Sequence, residues 1–429
     1  MNSFLPVAFV AVQVSFMPSV QATTVHVPAD QPTIAAGLAA ASAGDSVVIA
    51  CGTYLEHDLV IRSGVTLISS TGLPDCVVID AGGLGRVLNA AGTSPQTTIE
   101  GLTLTRGVAT FAAGVRCSAT TARFVDCDIS DNSASVGGGV GCEEDDTPTF
   151  ERCRFLRNTA TAAGGGLFME DSNAPPSFVD CVFDGNSGGP LGGALYWEGN
   201  GAGLSIVRSE FRRNVATEGG ALCSRPGGSS PDSVEVVDCV FVENEAVSAG
   251  GAIFAEDSRA DVLCTGTVFH GNRAPQGAAV RGTNLASIRF EGCTLALNEA
   301  STGRGAIDSG SGTVSLDRVI LYGTSPGVGV SGCQPWLLTV NCVDTFGNAD
   351  GDWAGCLAGL EGVNGNFSAD PLFCDAGVGD FTLHANSPCA PGMTACGLVG
   401  ALPVGCSATA IQSISWGRLK SRFGNWSSR

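Results

Sequence analysis

Charge is scarce in this chain. Asp, Glu, Lys and Arg together make up 15% of the 429 residues, and aromatics make up 7%. Such a composition is not that of a disordered, charge-rich segment. Glycine is abundant, at 60 residues, yet it follows no three-residue period, which excludes collagen. No CxxC pair occurs among the 18 cysteines, which argues against a zinc ribbon or a thioredoxin-like site. The four histidines, His26, His57, His270 and His384, show no metal-ligand spacing. No run of 18 apolar residues exists, so no segment reads as a membrane span.

Residues 1–22 carry an apolar run, "LPVAFVAVQVSFM", followed by small residues ending at Ala22, and they read as a secretory signal without the usual basic start. Eighteen cysteines, an even number, suit an exported chain with disulfides. The last 23 residues carry Arg418, Lys420, Arg422 and Arg429 and no acid. The rest of the chain therefore holds −23 against the whole-chain formal charge of −19. A surface this acidic repels nucleic acid and anionic lipid and favours cations or neutral partners.

The chain repeats one phrase. "FVDCDISDN" ends at Asn132, "FERCRFLRN" at Asn158, "FVDCVFDGN" at Asn186, "IVRSEFRRN" at Asn214, "VVDCVFVEN" at Asn244, "CTGTVFHGN" at Asn272 and "FEGCTLALN" at Asn298. The spacings are 26 to 30 residues, the mark of a solenoid. "IEGLTLTRG" and "LDRVILYGT" keep the rhythm, with Arg106 and Gly323 read into the asparagine slot. The runs are short, β-branched or aromatic, and cut by Gly and Asn, with no 3.6-residue period, so helical repeats are disfavoured. The expectation is all-β: a right-handed, single-stranded parallel β-helix of roughly ten coils, about 50 Å long, with three strands per coil.

In such a stack each slot lies on its copy one coil away. Cys127, Cys153, Cys181, Ser209, Cys239, Thr267 and Cys293 form a small, inward file. Ile129, Phe155, Phe183, Phe211, Phe241, Phe269 and Leu295 form an apolar column beside it. The asparagines are expected to stack at a turn, in left-handed backbone, each amide bonded to its copies. The Gly-Gly pairs supply another turn. At the start, "PTIAAGLAAASAGDSVVIACGTYLE" (32–56) opens as an amphipathic helix with Ile34 and Leu38 on one face and Gly44 ending it, a plug for the first coil.

The "T-I-x-x-x-L-x-x-A-x-x-G-D-x-V-x-I-x-x-G-T-Y-x-E" start resembles the N-terminal cap of secreted β-helix proteins of the pectin lyase-like superfamily. The "F-x-x-N … G-G-A-[IL]" units resemble repeats of polymorphic outer membrane proteins. "ADPLFCDAGVGDFTLHANSPC" (369–389) is similar to the closing segment of secreted bacterial β-helix proteins. The resemblance covers about residues 24–406 and implies a fold and export. It yields four regions: a signal peptide (1–22), a β-helix with its N-terminal cap (23–340), a Cys-rich closing segment (341–406), and a basic Trp-containing tail (407–429) that reads as a sorting or attachment signal or a frayed end.

One candidate site emerges. Three residues after each re-entry stand Ser118, Glu143, Glu170, Glu198, Arg225, Glu256 and Thr283, with Glu144, Asp145, Asp146, Asp171 and Asp257 adjacent. Glu143, Glu170 and Glu198 in successive coils suggest a calcium site. With Asp171, Glu256 and Asp257 they suggest an acidic binding edge. The plainer reading is a solvated acidic face with Arg225 as ion-pair partner, which the weakness of surface charge effects favours. "GNADGDWAG", with Asp350 and Asp352, reads as a turn. Of Tyr196 and Trp197, strand alternation points one inward.

Cys117 with Cys142, and the Cys127–Cys153–Cys181 file, lie within disulfide reach. A ladder of thiols packs equally well, and disulfides are expected among Cys333 to Cys406.

No catalytic residue and no cofactor stand out. The leading function is an exported or surface-associated, adhesin-like binder of carbohydrate or an envelope component. The alternative is a polysaccharide lyase or glycoside hydrolase, which the resemblance implies through its enzymatic members.

Overall fold

The structure is a computed structural model that describes residues 22–407, apart from 144–146, 173–175, 202 and 228–230, and without the side chains of 171 and 172. Residues 1–21, which hold nearly all of the expected signal, and residues 408–429 of the basic tail lie outside the described residues.

The chain is a right-handed parallel β-helix. Most middle coils carry four strands, not three. One coil runs Arg123–Val125, Asp128–Ser130, Ser133–Val136 and Val140–Glu143. Stacked coil on coil, these make sheet I with 13 strands, sheet II with 12 and sheet IV with 11. Sheet III is short and built in two pieces, of three and four strands, bridged through Ser187 and Leu191. Thirteen strands in sheet I exceed the ten coils expected. The flanking coils lack the full cysteine-to-asparagine phrase of the repeat and so escape a count based on it. The stack is about 60 Å long at the usual spacing of paired strands.

The interior follows the inward files. Phe155, Phe183, Phe211, Phe241 and Phe269 stack with centroids 4.4, 4.5, 4.7 and 4.9 Å apart, all buried. Phe124, Phe150 and Phe178 form a second stack from sheet I, at 4.9 and 5.2 Å. Offset stacking at these distances adds to the area each ring buries.

Two corners frame sheet II, and each depends on a residue with positive φ. At the first, the left-handed residue precedes the cysteine slot: Asp126, Arg152, Asp180, Arg208 and Asp238. At the second it precedes the asparagine: Asp131, Arg157, Gly185, Arg213, Glu243, Gly271 and Leu297. The asparagines themselves are therefore not left-handed, contrary to expectation. The turn is made one residue earlier, which leaves the asparagine pointing inward, fully buried. The same shift corrects the flanking repeats. Arg106 and Gly323 carry the positive φ, and Gly107 and Thr324 occupy the asparagine slot, each donating its N–H to the next coil's asparagine, Asn132 or Asn348, at 2.8 and 3.0 Å.

At the corner between sheets III and IV a glycine takes positive φ, and its successor has no room for a Cβ. One on Gly193 would lie 2.0 Å from the Gly220 carbonyl oxygen.

The helix Ile34–Ala40 caps the first coil and ends earlier than Gly44, which instead makes the following turn. Ile34 and Leu38 are buried in the core. Thr33 caps the Ala36 N–H at 3.1 Å, and the Glu56 carboxylate accepts from Ile34 and Ala35 N–H at 2.8 Å each.

The closing segment divides in two. Trp353, Cys356, Leu357 and Leu360 close the open end of the core. Residues 367–406 fold back outside sheet II, where Phe381 and Leu402 cover Val268 and Ala296, and Leu383 and Val399 cover Ile320. Disulfides Cys333–Cys356, Cys342–Cys396 and Cys374–Cys406 hold this region, and Cys51–Cys76 ties the early coils. The other ten cysteines are free and buried, including Cys117, Cys142 and the whole cysteine file. Among the described residues no helix is long and apolar enough to cross a membrane.

Candidate functional site

The outer surface of sheet IV carries two files of side chains. The first is Arg116, Gly141, Phe168, Tyr196, Cys223 and Phe254, then Arg281 and Asp308. The second, two residues on, contains the acidic column.

Glu143 and Glu170 face each other in register. The file then slips. Met169 faces Trp197 but Ser172 faces Gly199, so Glu170 and Asp171 together oppose Glu198. This is a bulge, two residues against one. Glu143, Glu170 and Glu198 thus do not form one even three-coil file. The side chain of Asp171, and Glu144, Asp145 and Asp146 entirely, lie outside the described residues.

Most of these acids are answered within the protein. Arg116 reaches Glu143 at 3.3 Å. The Tyr196 hydroxyl donates to Glu198 at 2.6 Å. Arg225 Nη2 donates to Glu218 at 2.8 Å. Its Nε sits 2.6 Å from Glu256 Oε2, an ion pair in which the N–H is not aimed at the oxygen. Arg225 also lies over the Phe254 ring, 5.8 Å from its centroid. Asp257 takes a two-pronged bond from Arg259 at 2.9 Å on each oxygen, which holds its carboxyl down at about 2. At the far end, the fully buried Asp308 is gripped by Arg281 and by Arg304. Among the described residues no three His, Cys, Asp or Glu side chains gather into a group that could hold a metal ion.

The first file packs rather than presents. Phe168 and Tyr196 stack 5.1 Å apart, and with Cys223 and Phe254 they meet Phe111, Val136, Ala163, Leu191 and Ala249 from the sheet III side. Tyr196 is only 6% exposed, so its ring offers no platform for a sugar. Burial, then the bond to Glu198, pushes its hydroxyl well above the usual range. Trp197 is the inward member of the pair and is fully buried.

Sequence reading found the column but missed Arg116 and Arg86. Arg86 donates to the Ala112 and Phe111 carbonyls at 2.7 and 2.8 Å. Arg116 stands in the first file one coil before Glu143, and aligning both outward files, rather than the acidic one alone, would have found it. The asparagines form the most regular polar feature. Each of Asn132 to Asn272 donates its side-chain amide to the next asparagine's Oδ1 at 2.9 to 3.1 Å, and Asn298 ends the run. They are buried, and they build the fold rather than a ligand site. Asp352 accepts from Asn348, backbone and side chain, at 2.8 and 3.0 Å, which fits the turn reading of its segment. His26, His57, His270 and His384 stay apart; His57 pairs with its neighbour Asp58 at 2.8 Å.

Residues 60–215 match the family model described as "Right handed beta helix region". No curated protein matches the chain. Among solved structures the chain is similar to the pectate lyase Pel9A, at 13% identity and a TM-score of 0.46, covering 90% of this chain and 98% of that one. It is also similar to the PL6 family alginate lyase AlyGC, at 14% identity and a TM-score of 0.41, covering 82% of this chain and 54% of that one. At this level of likeness neither says what this chain does.

Proposed function

We propose that this right-handed parallel β-helix is an exported protein that binds a polymer along the outer face of sheet IV without cleaving it. The observation that carries the reading is how the acids of that face are held. Glu143, Glu198, Glu256 and Asp257 each have an arginine or tyrosine partner within the protein. An acid or base for bond cleavage needs a proton it can give or take. Carboxylates held in standing pairs instead place polar groups in every second coil, at Glu143, Glu198 and Glu256. Half-exposed polar side chains two strand spacings apart, about 10 Å, suit a ligand that itself repeats. The charge of −23 over residues 1–406 favours a neutral or amine-bearing polysaccharide over a uronic acid polymer.

The test combines binding and turnover. Neutral, amine-bearing and uronic acid polysaccharides are titrated against the protein, and each mixture is assayed for unsaturated ends and new reducing ends, with and without calcium. Binding of neutral or amine-bearing chains without products is expected, weakened in the double variant Glu198→Gln, Glu256→Gln. Steady release of unsaturated products from a uronic acid polymer would overturn the reading in favour of a lyase. A thermal shift with calcium that vanishes in Glu170→Gln, Glu198→Gln would return calcium to the site.

A further inference from the structure

Asp45 is a buried acid without a cation. It follows the Gly44 turn beside the N-terminal cap and is 7% exposed. Two backbone N–H groups hold it: Thr23 donates to Oδ1 at 2.7 Å and Ser42 to Oδ2 at 2.9 Å. These donors, Ser42 first, keep the carboxyl below its usual value, so it is ionised at neutral pH. Asp80, Asp128 and Asp308 are buried to a similar degree, and each faces an arginine. No Arg, Lys or His pairs with Asp45 among the described residues. Charge is sparse on the elements packed here. The helix Ile34–Ala40 and the strands Ser46–Ile49 and Thr66–Ser69 carry none. The first strand, Thr24–Val27, carries only His26, and Arg62 is bound to the Ala41 carbonyl at 3.1 Å. Glu56 sits at the opposite end of the helix.

The nitrogen that Asp45 holds is the one that the expected signal cut would free. Ala22 is the small residue before that cut, and it is exposed. Thr23 is already tied into the stack. Its carbonyl accepts from the Ser46 N–H at 2.9 Å, and the paired strand starts at the next residue, Thr24. Hydrolysis of the Ala22–Thr23 peptide bond consumes one water. It leaves a carboxylate on Ala22 and an α-ammonium on Thr23. The 2.7 Å separation already lies in the range of bonds between a charged donor and a charged acceptor.

We propose that Asp45 receives the mature amino terminus: removal of residues 1–22 creates an α-ammonium at Thr23 that pairs with the Asp45 carboxylate and fastens the N-terminal cap to the first coil. Before the cut the same nitrogen is a neutral amide and offers a hydrogen bond alone, so the cap is fully fastened only after processing. The inference rests on the export proposed above and not on polymer binding.

The test reads the amine directly. The sequence holds one lysine, Lys420, so the mature chain has two amino groups, told apart by peptide mass. The exported protein is one sample. A second is released from a fusion by a protease that leaves Thr23 first, which separates a failure of export from a failure of the pair. The exported protein is expected to begin at Thr23. In the Thr23-first protein, acylation of the α-amine at neutral pH is expected to be at least tenfold slower than in the denatured chain, because the ammonium should titrate about one unit or more above its ordinary value of about 8. Asp45→Asn is expected to restore the fast rate. Acetylation of Thr23 removes the charge but keeps the N–H, and it is expected to lower the melting temperature by a few degrees at neutral pH. A group whose value is raised on folding stabilises while it is protonated, so this gap should close as pH rises through the raised value. An exported chain that begins elsewhere would overturn the proposal. So would native Thr23 that reacts as fast as denatured Thr23, or acetylation that leaves the melt unchanged. The acetylated chain keeps the test decisive if Asp45→Asn does not fold.

Discussion

Asn214 sits in the middle of the asparagine ladder and is fully buried. Its side chain makes four hydrogen bonds. It donates to the Phe183 carbonyl at 2.9 Å and to Asn244 Oδ1 at 2.9 Å, and it accepts from the Asn186 N–H at 2.9 Å and the Asn186 amide at 3.0 Å. Asn214→Ala removes all four. Two of the freed groups keep another partner: Asn244 Oδ1 still takes the Asn214 N–H, and the Asn186 amide still holds the Phe155 carbonyl. The other two, the Asn186 N–H and the Phe183 carbonyl, lose the asparagine that satisfied them. Each buried orphan costs about 1–3 kcal/mol, so the substitution is expected to cost about 4 kcal/mol. Asn214→Asp should cost more near neutral pH, because an acceptor replaces the donor that faces two oxygens.

Urea unfolding followed by far-UV circular dichroism measures the loss. Asn298→Ala is the internal comparison. Asn298 ends the run and donates to no further asparagine, so Asn298→Ala removes three side-chain bonds instead of four but orphans the matching two groups, the Asn272 N–H and the Phe269 carbonyl; its cost should be lower by about 1 kcal/mol at most. A cost below about 1 kcal/mol for Asn214→Ala would refute the claim that the amides join coil to coil. Hydrogen exchange adds a second readout, since in a solenoid each repeat contacts only its neighbours. Faster exchange at Asn186 and Asn214, with distant coils unchanged, is expected.

The docked closing segment should show opposed pH responses. Burial lowers His270, beneath Phe381, from 6.5 to about 4, so its contribution is lost as pH falls from 6.5 towards 4; burial raises Asp344 from 3.8 to about 7, so its contribution is present in acid and lost as pH rises towards 7. The two partly offset in the native chain, at about 3 kcal/mol for His270 and about 4 kcal/mol for Asp344. Asp344→Asn should therefore expose a fall in stability with acid, and His270→Gln a fall with rising pH; identical pH profiles in both variants would refute this. Burial lifts the thiols of Cys181, Cys239 and Cys293 to about 12, so a thiol reagent at neutral pH should find none of the ten free cysteines until denaturant is added. Gly193→Ala should fail to give soluble protein, since its Cβ would stand 2.0 Å from the Gly220 oxygen, whereas alanine at the open Gly92 should cost about 1 kcal/mol for its positive φ.

The inside of this solenoid was legible because inward slots repeat the same chemistry. Cysteine, phenylalanine and asparagine recur at one spacing, and each file lies where its period puts it. The exact corner residue was less legible. Asparagine is the familiar left-handed residue, yet here Asp, Arg and Glu take that conformation one step earlier, as at Asp131, Arg157 and Glu243. Sheet III was hidden because strands such as Ser133–Val136 are short and small and resemble a loop. The fold-back of residues 367–406 over sheet II could not be read, since its partners, Val268 and Ala296 among them, look like ordinary outward residues of a repeat. In the sheet IV column the residues were legible and their pairing was not. Arg116 and Glu143 are 27 positions apart, and only the coil period makes them neighbours.

The outer corners carry information that the inner files lack. A file of identical asparagines or phenylalanines stacks equally well if one coil is skipped, so it cannot set the order of coils. The corner before the cysteine slot reads Asp126, Arg152, Asp180, Arg208, Asp238, alternating in sign. Arg152 holds Asp126 and Arg208 holds Asp180, each by two bonds of 2.8 to 2.9 Å. A slip of one coil would set Asp on Asp and Arg on Arg, so the alternation acts against the misregister that the uniform interior permits. Each pair is partly exposed and worth only about 0.2–1 kcal/mol. The penalty for misregister grows with every pair in the file. Arg152→Asp places three acids in succession and should slow refolding and promote aggregation more than it lowers equilibrium stability. Exchanging the two charges, Asp126→Arg with Arg152→Asp, restores that pair but sets Asp against Asp180, so it should recover only part of the refolding yield. Full recovery by the exchange, or normal refolding of Arg152→Asp, would show that the alternation serves solubility alone.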